Sequence, residues 1–367
     1  DLNEVIRLEA MQSSPGSFLK TTTITTSTSP TTTSEGNPEL ATCLSRTEGY
    51  GVALSLAYVL SAVLIAGIIV TVFLVTHTSE LAGHPRVELN EYGCGIANSS
   101  QTASGRIVNG EPAMEEFPWT VAILVSVPNN VLFGTGALVT PYHVLTVAHL
   151  MPKLMLVKKA AVRYGSNVLN KTKSVSVVGA RYADYDVTSN TNDILILLLG
   201  SALDSTPRLC VPSLGDSVLS YSRAKRRLID LSWSTVRNLP KVGDVVLIAG
   251  FGALYEVGIG KAGPISGQLL FMNETVVSIH HCAAGFPLIN GYSTFCIDGR
   301  GAGVCRGDSG GSAMQKIDGR LTSVGVVSMG ILCGTSSAVM TRLKAYAGWL
   351  YKSIEESPRN FYRVPPF

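Results

Sequence analysis

The chain has 367 residues, which is enough for two domains or for one large β domain. Its formal net charge is +3 and 15% of its residues are charged. This balance is too mild to imply a nucleic-acid partner, which requires a concentrated basic face. The mean hydropathy of +0.28 is high for a soluble enzyme, and one apolar segment accounts for much of it.

Residues 1–49 are polar and include the run TTTITTSTSPTTTS at 21–34. Such a segment cannot bury enough apolar surface to fold alone, so we expect a disordered tail. Cys43 lies in this tail. It is either a palmitoylation site or an idle thiol, and the idle thiol is the simpler interpretation.

An uncharged run of 25 residues follows at 51–75, GVALSLAYVLSAVLIAGIIVTVFLV. A helix needs about 20 apolar residues to cross a bilayer, whereas the apolar part of a cleaved signal peptide has about 7–15 residues and lies close to the N-terminus. The sequence therefore predicts a transmembrane signal-anchor helix at 50–76 rather than a cleaved signal peptide.

Cysteines and glycosylation sequons indicate the orientation of this span better than the Lys/Arg bias, which is close to nil. Six of the seven cysteines follow the span, and so do three Asn-x-Ser/Thr sites at Asn98, Asn170 and Asn273. Disulfides and N-glycans form on the exported side. We therefore expect a single-pass type II plasma-membrane protein with a cytosolic tail. The Thr/Ser-rich composition of that tail, typical of an O-glycosylated stalk, argues the other way.

Residues 77–106 form a short polar stalk, and from Ile107 onward the pattern changes to brief β-rich runs. These runs occupy 121–127, 131–139, 174–180, 193–199, 245–252 and 323–330. Val/Ile-rich runs separated by Gly, Pro and Asn turns predict an all-β sandwich or barrel. The stretch 346–356 places Trp349, Leu350 and Ile354 on one helical face, so it predicts a C-terminal helix packed on the β body.

The stretch CRGDSGGS at 305–312 places one serine inside a glycine-rich turn. Glycines let the backbone turn sharply and approach a substrate closely. If Ser309 is a nucleophile, its N–H group and that of Gly307 could converge on a developing oxyanion. The serine also needs a base that a carboxylate holds in the correct tautomer. His149 and Asp193 can supply those two parts.

Each of these residues also has an ordinary interpretation. A lone GDSGG sequence is often a simple turn, a lone histidine is more often structural, and Asp193 could cap a strand. A zinc site at His149 is disfavoured because His143 is the only other histidine nearby and no cysteine lies in that stretch. The acyl-transfer chemistry of a serine nucleophile implies no metal or organic cofactor.

Four motifs together resemble a serine protease of the trypsin/chymotrypsin (S1) family, of the type II transmembrane kind. RIVNG at 106–110 resembles the activation site of that family, TVAH at 146–149 its histidine motif, DILILLL at 193–199 its aspartate motif and GDSGGS at 307–312 its serine motif. They occur in the family order, and His149 and Asp193 are 44 residues apart, close to the usual separation.

The resemblance implies a catalytic domain at 107–356 made of two antiparallel β-barrels (chymotrypsin-like) with a C-terminal helix, followed by a tail at 357–367. It implies that His149 is the general base, Asp193 its orienting carboxylate and Ser309 the nucleophile of a serine endopeptidase. The oxyanion hole would be formed by the N–H groups of Gly307 and Ser309.

Activation is also implied by the resemblance. Cleavage between Arg106 and Ile107 would free an α-amino group at Ile107, which would insert and pair with Asp308. A buried ammonium–carboxylate pair can bias the serine loop toward its competent form. The chain would thus be a zymogen, and its activator a trypsin-like protease because the cut follows arginine.

The family's pocket positions fall on Gly303, Gly330 and Ala338. None of these carries a carboxylate, so the resemblance implies a preference for bulky apolar residues on the N-terminal side of the scissile bond (P1). Three family disulfides are also implied: Cys94–Cys210, Cys282–Cys296 and Cys305–Cys333. The first would tether the protease to the membrane after activation.

Some positions depart from the family pattern. Leu150 and Gly134 occupy the places of one usual cysteine pair, and Val246 and Gln315 those of another, so packing would replace both crosslinks. Met329 replaces an aromatic residue, which loosens one wall of the cleft. The segment between Cys210 and Gly250 is about twenty residues longer than usual. It contains the basic run SRAKRRL at 222–228, which is a solvated loop, a proprotein-convertase site or an anionic exosite.

The resemblance implies protein or peptide substrates, an activating protease and the lipid bilayer as partners, with no nucleic acid. A protease-shaped binding or adhesion module with weak catalysis is the alternative from another class. A protease shed by cleavage within 77–93 is a third interpretation.

Overall fold

A computed structural model describes residues 58–72, 87–96, 111–112, 117–151, 157–212, 239–257, 261, 263–301 and 303–365. The chain divides into two units, one of residues 13–84 and one of the remainder. Within the first unit, residues 58–72 form helix α1. Its large apolar side chains, including Leu64 and Ile69, are exposed.

None of the helices in these described ranges is long and apolar enough to cross a membrane. The expected signal-anchor helix at 50–76 extends beyond α1 on both sides, where it lies outside the described residues. The expected disordered tail at 1–49, with Cys43, also lies outside them.

Fourteen strands of the described residues form two antiparallel sheets, each of which closes on itself. The first barrel contains β2 (Thr120–Val127), β3 (Asn130–Thr140), β4 (His143–Thr146), β5 (Lys159–Tyr164), β6 (Lys173–Tyr182) and β7 (Leu195–Leu199). The second contains β8 (Val245–Gly250), β9 (Leu270–Val277), β10 (Thr294–Ile297), β11 (Ser312–Ile317), β12 (Arg320–Gly330) and β13 (Ala338–Arg342). The predicted pair of antiparallel barrels is therefore confirmed.

Pairing between β6 and β7 closes the first barrel, and pairing between β8 and β9 closes the second. Closure leaves no long unpaired edge within either six-stranded barrel. Two short strands are added outside them: β1 (Glu111–Pro112) pairs with β9, and β14 (Tyr362–Arg363) pairs with β6. All six predicted β-rich runs coincide with strands of the barrels, namely β2, β3, β6, β7, β8 and β12.

Two helices lie in the sequence of the second barrel: α2 (His280–Ala283) between β9 and β10, and α3 (Ala347–Glu355) after β13. α3 is the predicted C-terminal helix. Leu350 is fully buried and Ile354 is 4% exposed, so the predicted apolar face does pack on the protein. Residues 357–365 continue past α3 and pack on the first barrel, where Phe361 and Val364 are buried.

Residues 87–96, part of the predicted stalk, are docked on the β-barrel body by more than a disulfide. The Asn90 side chain exchanges two 2.8 Å hydrogen bonds with the backbone of Val211. Arg208 forms a 2.6 Å ion pair with Glu91, and Cys94 is bonded to Cys210. This segment is therefore an integral part of the folded domain.

Leu150 fills the space next to Gly134, where a crosslink is absent. A Cβ added at Gly134 would lie 2.2 Å from Cδ1 of Leu150 and 2.8 Å from Cδ2. The two residues are therefore complementary in size, and the leucine side chain occupies the volume that a side chain at 134 would need. At the other absent crosslink, Val246 is fully buried and Gln315 is half-buried.

Candidate active site

His149 lies in a short 3-10 turn, Ala148–Leu150, which begins one residue after the end of β4. Its Nδ1 atom is 2.8 Å from Oδ2 of Asp193, and its backbone N–H donates a 2.9 Å hydrogen bond to Oδ1 of the same carboxylate. The His149 side chain is 27% exposed, whereas that of Asp193 is 1% exposed. Both ring and backbone of His149 are thus fixed by one buried carboxylate, which leaves Nε2 as the ring nitrogen available as a base.

Two hydroxyl groups of the second barrel hold Asp193. Ser328 donates a 2.6 Å hydrogen bond to Oδ2 of Asp193, and Thr341 donates a 2.8 Å bond to its carbonyl oxygen. A buried carboxylate is costly unless it accepts several hydrogen bonds. Sequence reasoning did not find these two residues, because they are 135 and 148 positions away from Asp193.

Ser309 lies in the loop between Cys305 and β11. The disulfide Cys305–Cys333 joins this loop to the segment after β12. Gly310 has φ +85°, and a Cβ there would lie 2.0 Å from Oγ1 of Thr146. Only glycine fits this position, because any other residue would be strained at this positive φ and its Cβ would clash with Thr146.

The peptides that carry the N–H groups of Gly307 and Ser309 are each fixed through their carbonyl oxygen. In a trans peptide the N–H is antiparallel to the preceding carbonyl. The carbonyl before Gly307, that of Arg306, accepts a 2.7 Å bond from Ala253, and the carbonyl of Asp308 accepts a 2.8 Å bond from Gly311. Among the described residues neither N–H has a protein acceptor, as an oxyanion hole requires.

His149 and Ser309 line the same cleft, which has a volume of about 430 Å³. No hydrogen bond joins their side chains within the described residues, and such bonds often tighten only when substrate binds. The wall beyond Ser309 is largely apolar. It is formed by Phe286, Val304, Val327, Met329, Gly330, Ile331, Leu332 and the disulfide Cys305–Cys333, with Asn190, Ser328, Glu256 and Arg306 as its polar and charged members.

Only one of the three expected pocket residues, Gly330, directly lines this cleft. It pairs with Ala338 across β12 and β13. A Cβ at Gly330 would be 3.9 Å from both Ala338 Cβ and Val304 Cγ2, so these three positions converge. Gly303 is buried against backbone, with Gly299 O only 2.8 Å from its Cβ position. Val304 is a wall residue that sequence reasoning missed.

Asp308 is fully buried, and burial raises the pKa of its carboxyl to about 7. Two backbone N–H groups, those of Cys305 and Gly252, each donate a 2.9 Å hydrogen bond to it and act in the lowering direction. Gly252 approaches so closely that a Cβ there would lie 2.4 Å from the carboxylate. No cation of the described residues forms an ion pair with Asp308.

The comparison with known proteins identifies the family. A family model described as trypsin matches residues 107–350. The chain belongs to the trypsin family. Membership of the trypsin family supports a serine endopeptidase. The three residues predicted from the sequence to form the triad, His149, Asp193 and Ser309, all lie within the matched range.

Individual relatives of this trypsin-family chain are distant. Inactive CLIP domain-containing serine protease A3 of Aedes aegypti is 25% identical over 285 residues, which are 72% of this chain and 54% of that protein. Complement C1s-1 subcomponent of Mus musculus is 24% identical over 289 residues, 72% of this chain and 38% of that protein. Kallikrein-4 of Homo sapiens is 26% identical over 276 residues, 72% of this chain and 93% of that protein. The chain thus spans about half of the first relative and less of the second.

The disulfides and part of the sequons predicted from the sequence lie within the described residues, whereas the activation site does not. The three disulfides implied by the resemblance are formed: Cys94–Cys210, Cys282–Cys296 and Cys305–Cys333. Of the sequon asparagines, Asn170 and Asn273 are exposed. The activation residues Arg106 and Ile107, the sequon at Asn98 and the basic run 222–228 lie outside the described residues.

Proposed function

We propose that the protein is a membrane-anchored zymogen of a serine endopeptidase, with the triad His149, Asp193 and Ser309. The observation that carries the proposal is the doubly hydrogen-bonded His149–Asp193 pair, which opens onto the same cleft as Ser309. Asp193 orients the ring so that Nε2 can act as the general base. No metal or organic cofactor enters the proposed reaction.

The reaction proceeds in two acyl-transfer steps. Nε2 of His149 accepts the hydroxyl proton of Ser309 while Oγ attacks the substrate carbonyl carbon, and the N–H groups of Gly307 and Ser309 bind the resulting oxyanion. His149 then donates its proton to the leaving amine, and the peptide bond breaks. Water attacks the acyl-enzyme by the same route, which releases the carboxylic acid and restores Ser309.

The proposed activation gives the buried carboxylate of Asp308 a cationic partner. Cleavage at Arg106–Ile107 by a trypsin-like protease provides an ammonium group at Ile107, which pairs with this buried carboxylate. Pairing of the two charges favours the ionised carboxylate and fixes the loop that carries Gly307 and Ser309. Gly303, Gly330 and Ala338 carry no carboxylate, and Glu256 lies elsewhere in the cleft wall. We therefore expect that the enzyme does not activate itself after arginine.

The apolar cleft supports a P1 preference for Phe, Tyr, Leu or Met. Gly330→Val fills the space between Ala338 and Val304, so we expect it to reduce cleavage after Phe at least tenfold while cleavage after Ala persists. Gly267→Val is the matched control, because a Cβ at Gly267 has no neighbour within 4 Å. P1 profiling with Phe, Leu, Ala and Arg substrates measures both effects. A preference for Arg would exclude the proposed specificity.

We also propose a type II topology in the plasma membrane, with the catalytic domain outside the cell. The uncharged run 51–75, the three disulfides and the exposed Asn170 and Asn273 support it. Alkaline carbonate extraction of membranes tests the anchor, and protection of the tail from added protease tests the orientation. Extraction into the supernatant would rule out a transmembrane anchor.

The first experiment is labelling of the purified ectodomain with a fluorophosphonate probe after cleavage at Arg106. Uncut protein and Ser309→Ala run in parallel. We expect labelling only after the cut and none in the variant. If folded, correctly cut protein is not labelled, a second candidate function is favoured: a binding module of weak catalytic power. One relative is named an inactive serine protease, so the experiment has to distinguish an active enzyme from an inactive one.

A further inference from the structure

Thr135 lies in the middle of β3 and contacts both the strand that precedes His149 and the loop that carries Ser309. Its side chain is fully buried. Its backbone N–H donates a 2.8 Å hydrogen bond to the carbonyl of Ser309, and its own carbonyl accepts a 2.8 Å bond from Thr146 Oγ1. One residue of the first barrel thus contacts the nucleophile loop of the second.

The hydroxyl group of Thr135 makes a separate contact with the same loop. It donates a 2.8 Å hydrogen bond to the carbonyl oxygen of Gly307 and accepts a longer one, 3.4 Å, from the N–H of Phe251. This is a side-chain contact, so it depends on the residue type at 135. The bond to Ser309 is made by backbone and does not.

Gly307 has a backbone conformation that such a contact can fix. It has φ +94° and, as a glycine, no side chain to restrict its backbone. Its preceding peptide is fixed through Arg306 and Ala253. Its following peptide is fixed on the carbonyl side by Thr135.

We propose that Thr135 is a positioning residue for the oxyanion hole: its hydroxyl fixes the peptide that follows Gly307 and thereby the backbone conformation of Gly307, so that the N–H of Gly307 faces the developing oxyanion. The inference rests on the proposed roles of Gly307 and Ser309. A donor acts in the transition state only if it is oriented before the charge develops. Loss of the hydroxyl therefore slows the chemical step and leaves substrate binding unchanged.

Thr135→Val tests this inference, because valine keeps the shape of threonine and removes only the hydroxyl. It leaves the Gly307 carbonyl and the Phe251 N–H without their side-chain partner. We expect kcat to fall about tenfold while KM stays within about twofold. Thr135→Ser keeps the donor, so it should restore most of the rate.

A matched pair of inhibitors separates this role from a structural one. A peptidyl trifluoromethyl ketone forms a tetrahedral adduct with an oxyanion, and the corresponding peptide amide binds without forming a bond. We expect Thr135→Val to weaken the ketone by the same factor as kcat and to leave amide affinity unchanged. Thr322→Val is the control substitution, since Thr322 is fully buried and its hydroxyl has no partner among the described residues.

The outcomes are distinguishable. An active, cut wild type whose kcat and ketone affinity survive Thr135→Val would overturn the inference and leave the proposed function intact. Equal losses of ketone and amide affinity would also overturn it, because they indicate general distortion of the cleft. A cut, folded wild type without activity would overturn the proposed function and the inference with it. If the valine variant does not fold, Thr135→Cys, whose thiol is a weaker donor, should give an intermediate loss of kcat; an unchanged kcat would again overturn the inference.

Discussion

The turn that carries His149 and the loop that carries Ser309 present their side chains to one cleft but are restrained differently. The serine loop is crosslinked by Cys305–Cys333, and it is anchored by the buried carboxylate of its own Asp308, which accepts hydrogen bonds from Gly252 and Cys305. The histidine turn has no crosslink among the described residues. It is held by hydrogen bonds to Asp193 and by Leu150, which packs into the space beside Gly134.

The difference shows that a covalent restraint and a packed side chain can perform the same local task. A disulfide stabilises mainly by restricting the unfolded chain, whereas a buried leucine contributes through burial and contacts of the folded state. The two restraints should therefore fail under different conditions. Reduction should affect the serine loop, and a change of side-chain volume should affect the histidine turn.

The largest expected effect concerns Asp308 in the uncut chain. Its folded pKa of about 7 lies above the unfolded value of 3.8, so the folded state binds the proton more tightly. The contribution of Asp308 to stability is therefore fully present below pH about 4 and is lost as the pH rises to about 7, by about 4 kcal/mol in total. Under the proposed activation, cleavage at Arg106 should remove this loss, because pairing with the Ile107 ammonium would lower the pKa of Asp308.

Urea unfolding at pH 4.5 and 7.5 measures this effect. Uncut and cut protein are compared on the Ser309→Ala background, and uncut Asp308→Asn is the control without a titrating group. An equal pH dependence in the cut protein, or its persistence in Asp308→Asn, would contradict the assignment.

Removal of the crosslink by Cys305→Ser with Cys333→Ser is next in size. The two cysteines are 28 residues apart, for which loss of the disulfide costs roughly 3–4 kcal/mol of unfolding free energy. Since this loop carries Gly307 and Ser309, we expect kcat to fall more than KM rises. Chemical denaturation and steady-state kinetics measure both. Removal of Cys282 and Cys296 is the comparison, since neither lines the cleft, and it should lower stability with little change in kcat.

The histidine turn is tested by changing the volume of Leu150. Leu150→Ala leaves a cavity beside Gly134, with an expected loss of roughly 3 kcal/mol, and lowers kcat because the turn that holds His149 becomes loose. Gly134→Ala overfills the same space and should cost roughly 1–3 kcal/mol. The double variant should be more stable than the sum of the two losses predicts, because alanine at 134 occupies part of the cavity. Additive losses would show that the two residues do not replace the crosslink together.

Much of the fold and of the site was predictable from the sequence, for identifiable physical reasons. The six β-rich runs that became strands are rich in Val, Ile and Leu, and they carry a direct propensity signal. Strand β5, KAAVRY, and strand β11, SAMQKI, lack such a run. They pair because closure of each barrel requires a partner at that edge, which is tertiary information.

The candidate site divides in the same way. His149, Asp193 and Ser309 lie in recognisable local motifs. Ser328 and Thr341 meet Asp193 only after the two barrels pack, and a single hydroxyl in a β-rich run has no local signature. The docking of 357–365 on β6 is also tertiary, because Phe361 and Val364 find their apolar surface on a barrel formed much earlier in the chain.

The smallest effect concerns the second absent crosslink, at Val246 and Gln315, which lies away from the cleft. The amide of Gln315 makes two 3.3 Å contacts, with Asp244 and the Val245 carbonyl, and its buried oxygen has no partner among the described residues. Gln315→Leu loses two long hydrogen bonds, which lowers the free energy of unfolding, and removes one unsatisfied buried acceptor, which raises it. The two changes should cancel to within about 0.5 kcal/mol. Activity and thermal unfolding should match the wild type. A loss as large as that of Leu150→Ala would mean that packing has to replace the missing disulfide at both places. A neutral result would confine that requirement to the turn that carries His149.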